Sequence, residues 1–217
     1  MKLIYFDEDE TLDVLEENRL KLIQPKKGYR FTEDSILLAN FVEEKEGDEI
    51  VDIGSGSGII AVQIALRRKA KRILCIEIQE RLVKCAERNV IINSVEGIVD
   101  VIKGDARRIE KFLPPESFDI AVSNPPYIRR GTGRISSVME RAIGRYEDFL
   151  SLPDLLHSVR YLLKNNGLLY LVYPMKRFKE LFVLSSHFRL IPVFVKCIYR
   201  KPSEDHNIII FKAKKVS

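Results

Sequence analysis

A doubly wound α/β fold, with a mostly parallel seven-stranded sheet ending in an antiparallel edge hairpin, is predicted by three observations on this 217-residue sequence. Short β-branched runs alternate with longer stretches of helical spacing from about residue 50 onward. A strand, a glycine-rich turn and a helix start, "VDIGSGSGIIAVQIA", open that alternation. The last two apolar runs follow one another with only the turn-rich "KPSEDH" between them.

Residues 1–48 read as an N-terminal appendage to a sheet core at 49–217, the whole forming a single domain. The appendage carries one clear element, "RFTEDSILLANFVEE", in which Thr32 is the expected N-cap and Glu33 and Asp34 favour the positive end of the helix dipole. Leu37, Leu38, Phe41 and Val42 fall on one face of that helix. Strands are expected at "EIVDI" (49–53), "RILCIE" (72–77), "IVDVIK" (98–103), "FDIAVS" (118–123) and "GLLYLVY" (167–173). Between them lie "GIIAVQIALRRK", then "RLVKCAERNVIIN" with Leu82, Val83, Ala86 and Val90 on one face, and later a helix carrying Leu155, Leu156, Val159, Leu162 and Leu163. Helices between successive strands cover both faces of a parallel sheet. The closing runs "FRLIPVFVKCIYR" and "NIIIFKAKK" are joined too briefly for a parallel crossover, which needs a dozen residues or more, so they form an antiparallel pair.

Composition removes several classes of function. Cys75, Cys85 and Cys197 form no C-x-x-C pair, and His157, His187 and His206 are isolated, so neither a disulfide framework nor a metal site is expected. No stretch approaches the roughly 18 apolar residues of a membrane span, and the start "MKLIYFDEDE" is too acidic for a signal peptide. A soluble cytoplasmic protein is expected, a monomer or weak homo-oligomer with no membrane partner. The excess of 36 Lys and Arg over 31 Asp and Glu permits a polyanionic partner without requiring one.

The glycine turn has the geometry in which open α/β sheets bind nucleotides at the carboxyl ends of their strands. Gly54, Gly56 and Gly58, with Ser55 between the first two, follow G-x-G-x-G. The dinucleotide fingerprint would need glycine where Ile59 stands, and the P-loop lysine is missing. Acids close the successive strands instead: Asp52 before the turn, Glu77 at the end of "ILCIE", and Asp105 in "KGDA". Glu77 is placed to accept both hydroxyls of a ribose. Three carboxylates around one cleft would repel a pyrophosphate and suit a cationic, phosphate-free ligand. S-adenosylmethionine, with its sulfonium, ammonium and ribose diol, fits that requirement.

"SNPPY" at 123–127 follows the fourth strand, and its two prolines must end it, because neither can donate to a ladder. A nitrogen conjugated to a ring or a carbonyl is a poor nucleophile. It becomes reactive toward a methyl sulfonium when acceptors hold its hydrogens so that the nitrogen pyramidalises. The side-chain oxygen of Asn124 and the carbonyl of Pro125 supply two such acceptors, and the rigid Pro125–Pro126 unit sets their spacing. Tyr127 offers a face on which a planar substrate stacks. The tetrapeptide alone leaves adenine N6, guanine N2 and a glutamine side-chain amide open.

The series "VDIGSGSG…CIE…GDA…NPPY" resembles the class I S-adenosylmethionine-dependent methyltransferases. That resemblance implies that the glycine turn passes under the methionyl part, that Glu77 with the neighbouring Ile78 holds the ribose, and that Asp105 and Ala106 face the adenine. "GYRFTEDSILLANF" (28–41), "NPPYIRRGTGR" (124–134), "AIGRYEDFL" (142–150) and "KPSEDHNIIIFKAKK" together resemble the valine-tRNA adenine-37 N6-methyltransferase family. A departure is Gly-Arg-Tyr-Glu in place of Ala-Arg-His-Glu at 144–147. The resemblance implies an enzyme acting on adenine in tRNA, with Phe31 and Thr32 closing over the cofactor. A guanine N2 methyltransferase of ribosomal RNA, a protein glutamine methyltransferase and a non-catalytic RNA chaperone are the alternatives. Five arginines (Arg129, Arg130, Arg134, Arg141 and Arg145) against the single acid Glu140 follow the prolines, an expected phosphate footprint. Lys176, Arg177, Arg200 and Lys201 are expected to extend it.

Overall fold

A computed structural model describes residues 7–15, 20–127, 150–199 and 207–217. Two antiparallel strands come first, β1 (Glu10–Leu15) and β2 (Leu20–Pro25), followed by helix α1 (Glu33–Phe41). The large sheet then begins: β3 (Glu49–Ile53), α2 (Ile59–Ala65), β4 (Arg72–Glu77), α3 (Glu80–Ile92) and β5 (Val99–Lys103). A 3-10 turn (Ala106–Lys111) leads to β6 (Phe118–Ser123). After it come α4 (Leu152–Leu162), β7 (Leu163–Pro174), a short 3-10 turn (Met175–Arg177), α5 (Phe178–His187), β8 (Leu190–Ile198) and β9 (Ile208–Lys215).

The seven strands run in the order β5-β4-β3-β6-β7-β9-β8. All pairs from β5 to β7 are parallel, and β9 is antiparallel to both β7 and β8, as the helixless final connection requires. The chain moves outward from β3 to β5 and then returns to place β6 on the other side of β3. That reversal opens a crevice at the carboxyl ends of β3 and β6. Two apolar clusters cover the two faces. One gathers α1, α2, part of β2 and residues of β3 and β4 such as Ile50 and Ile73; the other gathers α4 with Val51, Leu74 and Leu169 from the opposite face of the strands. Every residue of α2 is buried, which explains why that segment is apolar on all sides except at Gln63.

Three expectations are corrected. Leu163 opens β7 instead of closing the preceding helix, because the backbone turns extended at that residue. Thr32 stands at the N-cap position of α1 in an extended conformation, yet its side chain makes no capping bond; Ser151 instead forms a full capping box with Asp154 on α4. Residues 1–48 also hold more than a helix. Leu20 and Leu22 of β2 are completely buried in the same apolar cluster as α1 and α2, so this hairpin belongs to the core. Its attachment is polar and long-range. Asn89 of α3 accepts from Ile23 N (2.6 Å) and donates to Ile23 O (3.0 Å). One turn later, Asn93 accepts from Lys21 N (2.9 Å) and donates to Lys21 O (2.7 Å). Two side-chain amides at i and i+4 thus satisfy the edge of β2 as a neighbouring strand would. Arg88 on the same helix holds Glu10 of β1 through both carboxylate oxygens, at 2.7 and 2.6 Å.

Candidate active site

Hydrogen bonds tie the strand ends together at the crevice. The Ser123 hydroxyl donates to the Ile53 carbonyl at 2.7 Å, which locks the end of β6 to the end of β3. Gly54 N and Ser55 N both donate to Ile76 O of β4, at 2.9 and 3.1 Å, and Gly104 N donates to Glu77 O at 2.9 Å. Gly56 and Gly58 have φ of +58° and +83°, values that favour glycine. A Cβ on Gly58 would lie 3.2 Å from the Ala86 Cβ, and one on Gly56 would lie 3.1 Å from the Tyr29 ring. The turn is therefore pressed between α3 and the segment that follows the hairpin.

A partly open cleft lies over these strand ends. Gly54, Glu77, Ile78, Asp105, Ala106, Asn124 and Pro126 line it, all of them expected from sequence. Tyr29, Ile76, Gln79, Gly104 and Leu150 line it as well, although none of them is singled out by the sequence as a site residue. Asp52, Ser55, Gly56 and Gly58 are buried beside it and are not among its lining residues. Phe31 packs against the core, and its N–H donates to Gln24 Oε1 at 2.9 Å. Thr32 is exposed at the start of α1, so from this segment it is Tyr29 that reaches the cleft.

The acids differ sharply in their surroundings. Asp52 is wholly buried, and neither carboxylate oxygen has a hydrogen-bond partner among the described residues. Burial, reinforced by the nearby charge of Glu77, pushes its pKa up to about 8. Glu77 is buried too, which raises its pKa, while backbone donors oppose the rise: Gly56 N on Oε2 and Gln79 N on Oε1, both at 2.9 Å. Asp105 accepts from the Arg107 side chain at 2.7 and 2.9 Å, and this partner holds its pKa below the usual range. A buried, unpartnered carboxylate beside a second buried one is a surrounding that favours a cation and penalises a phosphate. This donor set fits S-adenosylmethionine. Glu77 and Ile78 would hold the ribose, Asp105 and Ala106 the adenine, and the glycine turn with Asp52 the methionyl end.

The "NPPY" turn is braced at both ends. Asn124 Nδ2 donates to Ser35 Oγ of α1 at 2.9 Å. At the other end, Arg177 Nη1 donates to the Tyr127 carbonyl at 3.1 Å. The Arg177 guanidinium also lies 5.0 Å from the centroid of the Tyr173 ring and bonds both oxygens of Glu180 at 2.9 and 2.8 Å. Tyr173 in turn meets Tyr127 edge to face, with centroids 6.5 Å apart. Arg177 was expected on the RNA-facing surface, but its side chain is only 12% exposed and is engaged inside the molecule. Lys176 beside it is exposed. Arg129, Arg130, Arg134, Arg141, Arg145, Arg200 and Lys201 lie outside the described residues. Sequence reading missed both braces, Ser35 and this use of Arg177, since each contact joins residues 50 or more positions apart.

Among the described residues no group of three or more His, Cys, Asp or Glu could hold a metal ion, and no helix is long and apolar enough to cross a membrane. Residues 30–196 match the profile of the methyltransferase small domain family. A tRNA1(Val) (adenine(37)-N6)-methyltransferase of Porphyromonas gingivalis is 28% identical over 185 residues, covering 82% of this chain and 72% of the relative. The protein of that name from Pedobacter heparinus is 25% identical over 202 residues, covering 85% and 84%. Among solved structures, a predicted O-methyltransferase from Agrobacterium tumefaciens superposes with a TM-score of 0.66 at 22% identity, over 84% of this chain and 81% of that one. M. jannaschii TYW2, solved in complex with AdoMet, superposes with a TM-score of 0.67 at 15% identity, over 99% and 90%.

Proposed function

Because this chain belongs to the methyltransferase small domain family and takes its methyl group from S-adenosylmethionine, we propose that its acceptor is the exocyclic N6 amine of an adenine in tRNA, at position 37 of a valine tRNA. The observation that carries this reading is one cleft wall holding both Glu77 and Asn124, the expected ribose acceptor and the expected amine acceptor. The relatives named as adenine-37 N6-methyltransferases support adenine over the other two nitrogens.

The cofactor supplies an electrophilic methyl group on a sulfonium. Asn124 Oδ1 and the Pro125 carbonyl accept the two hydrogens of the amine, which directs its lone pair outward from the ring plane. Pro125 and Pro126 keep those acceptors at a constant separation, so little order is lost when substrate arrives. Tyr127 stacks on the base, and its ring is steadied by Tyr173. Asn124 is neutral and takes no proton; the proton released on methylation leaves to solvent. The arginines at 129–145 contact phosphates and position the RNA without reading its sequence.

Incubation of the protein with labelled S-adenosylmethionine and total bacterial tRNA, followed by nucleoside analysis, tests the reading. Label is expected in N6-methyladenosine. Label in methylguanosine, in added protein substrate, or in nothing overturns it.

A further inference from the structure

Asn124 is a half-buried residue on the cleft wall, and its side-chain amide has two chemically different ends of nearly equal shape. Only the orientation that presents the oxygen to a substrate can accept a hydrogen from an amine. The reversed amide would present two hydrogens and repel it. The nitrogen end of the amide rests on Ser35, whose Oγ accepts from Asn124 Nδ2 at 2.9 Å across 89 residues of sequence.

Ser35 is itself held firmly. It is 3% exposed, lies in the first turn of α1, and donates its backbone N–H to the Thr32 carbonyl at 3.0 Å. The helix that carries it is seated in the apolar cluster through Leu38 and Ala39, both completely buried. The segment before that helix is tied in its turn to the hairpin, because Phe31 N donates to Gln24 Oε1. The chain before the sheet therefore delivers one buried hydroxyl to the catalytic turn at a defined place.

We propose that Ser35 is a positioning residue for methyl transfer: by engaging the nitrogen of the Asn124 amide, it keeps the amide oxygen directed at the acceptor amine. This rests on the reading of Asn124 as an acceptor for that amine. Ser35 is buried and does not line the cleft, so its effect is expected to fall on turnover and not on binding. A threonine places a hydroxyl at the same point, whereas an alanine leaves Nδ2 unpaired and the amide free to rotate.

The test uses the full chain, labelled S-adenosylmethionine and total bacterial tRNA. Ser35→Ala is expected to lower kcat about tenfold, the scale of a lost orienting hydrogen bond of about 1.4 kcal/mol. The KM for tRNA, the calorimetric affinity for S-adenosylmethionine and the melting temperature are expected to stay close to those of the unaltered protein. Ser35→Thr is expected to recover kcat to within about threefold of the unaltered value, a margin of under 1 kcal/mol. The inference is overturned if Ser35→Ala keeps its kcat, if its loss of kcat is matched by lost cofactor affinity or a lowered melting temperature, or if Ser35→Thr is no better than alanine. Asn124→Ala, assayed in parallel, separates the two readings. Full activity in that variant sinks the acceptor role itself. An inactive Asn124→Ala beside a fully active Ser35→Ala sinks only the positioning role.

Discussion

Arg177 shows how one side chain changes meaning between sequence and fold. In sequence it follows a strand and a proline, beside Lys176, and looks like a surface cation. In the structure its planar fork bonds Glu180 through two nitrogens while a third donates to the carbonyl of Tyr127, and its face covers Tyr173. Lysine cannot reproduce that arrangement, since its ammonium has no plane and no fork. Arg177→Ala is expected to reduce kcat/KM for tRNA about tenfold, the scale of one carbonyl bond and one cation–π contact of about 0.5–2 kcal/mol together. The dissociation constant for S-adenosylmethionine is expected to move less than twofold, and Arg177→Lys to recover little. Steady-state kinetics with varied tRNA and varied cofactor checks both; a normal kcat/KM in Arg177→Ala would remove the brace from the mechanism.

At the scale of elements, the hairpin and α3 behave as one unit. The buried Asn89 bonds both backbone groups of Ile23, and its Nδ2 also donates to the Ser57 carbonyl at 2.9 Å, so it joins the hairpin to the glycine turn as well as to the helix. Removing it leaves three backbone groups without their partner, and a buried unpaired group costs about 1–3 kcal/mol. Asn89→Ala is accordingly expected to destabilise the protein by about 2–4 kcal/mol. Asn93→Ala is expected to cost less, because Lys21 is exposed and water can replace the lost bonds. Urea denaturation of the two variants measures the difference; equal midpoints for Asn89→Ala and the unaltered protein would show that the amide ladder contributes nothing. The central strands, by contrast, were plain in the sequence, because each is buried on both faces and reads as a short, mostly apolar run. The hairpin was not, because the edge of β2 is satisfied by two polar residues, on α3 and at its C-cap, 66 to 72 positions away.

For the whole molecule, the buried acid at the end of β3 sets a pH dependence. The unfolded chain ionises Asp52 near its ordinary value of 3.8, whereas the folded protein retains that proton up to about 8. Between those values the folded state binds the extra proton, so stability falls as pH rises, by up to about 1.4 kcal/mol per pH unit. Glu10 works in a separate window. Its pKa is lowered to about 2 by Arg88, so its contribution is present above 4.5 and is lost only as pH falls toward 2. A melting temperature that drops between pH 6 and 8 is expected for the protein without cofactor, at about 2–4 °C for each kcal/mol. Asp52→Asn is expected to flatten that drop, and parallel slopes for the two proteins in thermal melts would refute the assignment.

The central strands, the glycine turn, the acids at the strand ends and the "NPPY" exit were determined by the sequence alone, because each rests on local chemistry: apolar strand runs, left-handed glycines, prolines that cannot donate. Tertiary structure decided which side chains hold those local pieces in register. Ser35, Asn89 and Arg177 act through hydrogen bonds to residues far away in the chain, and a polar side chain carries no local sign of the partner it will meet. Packing α1, the hairpin and the turn after β7 onto the rest of the fold brings those partners within 3.1 Å, and that distance, not the residue type, gives each its role.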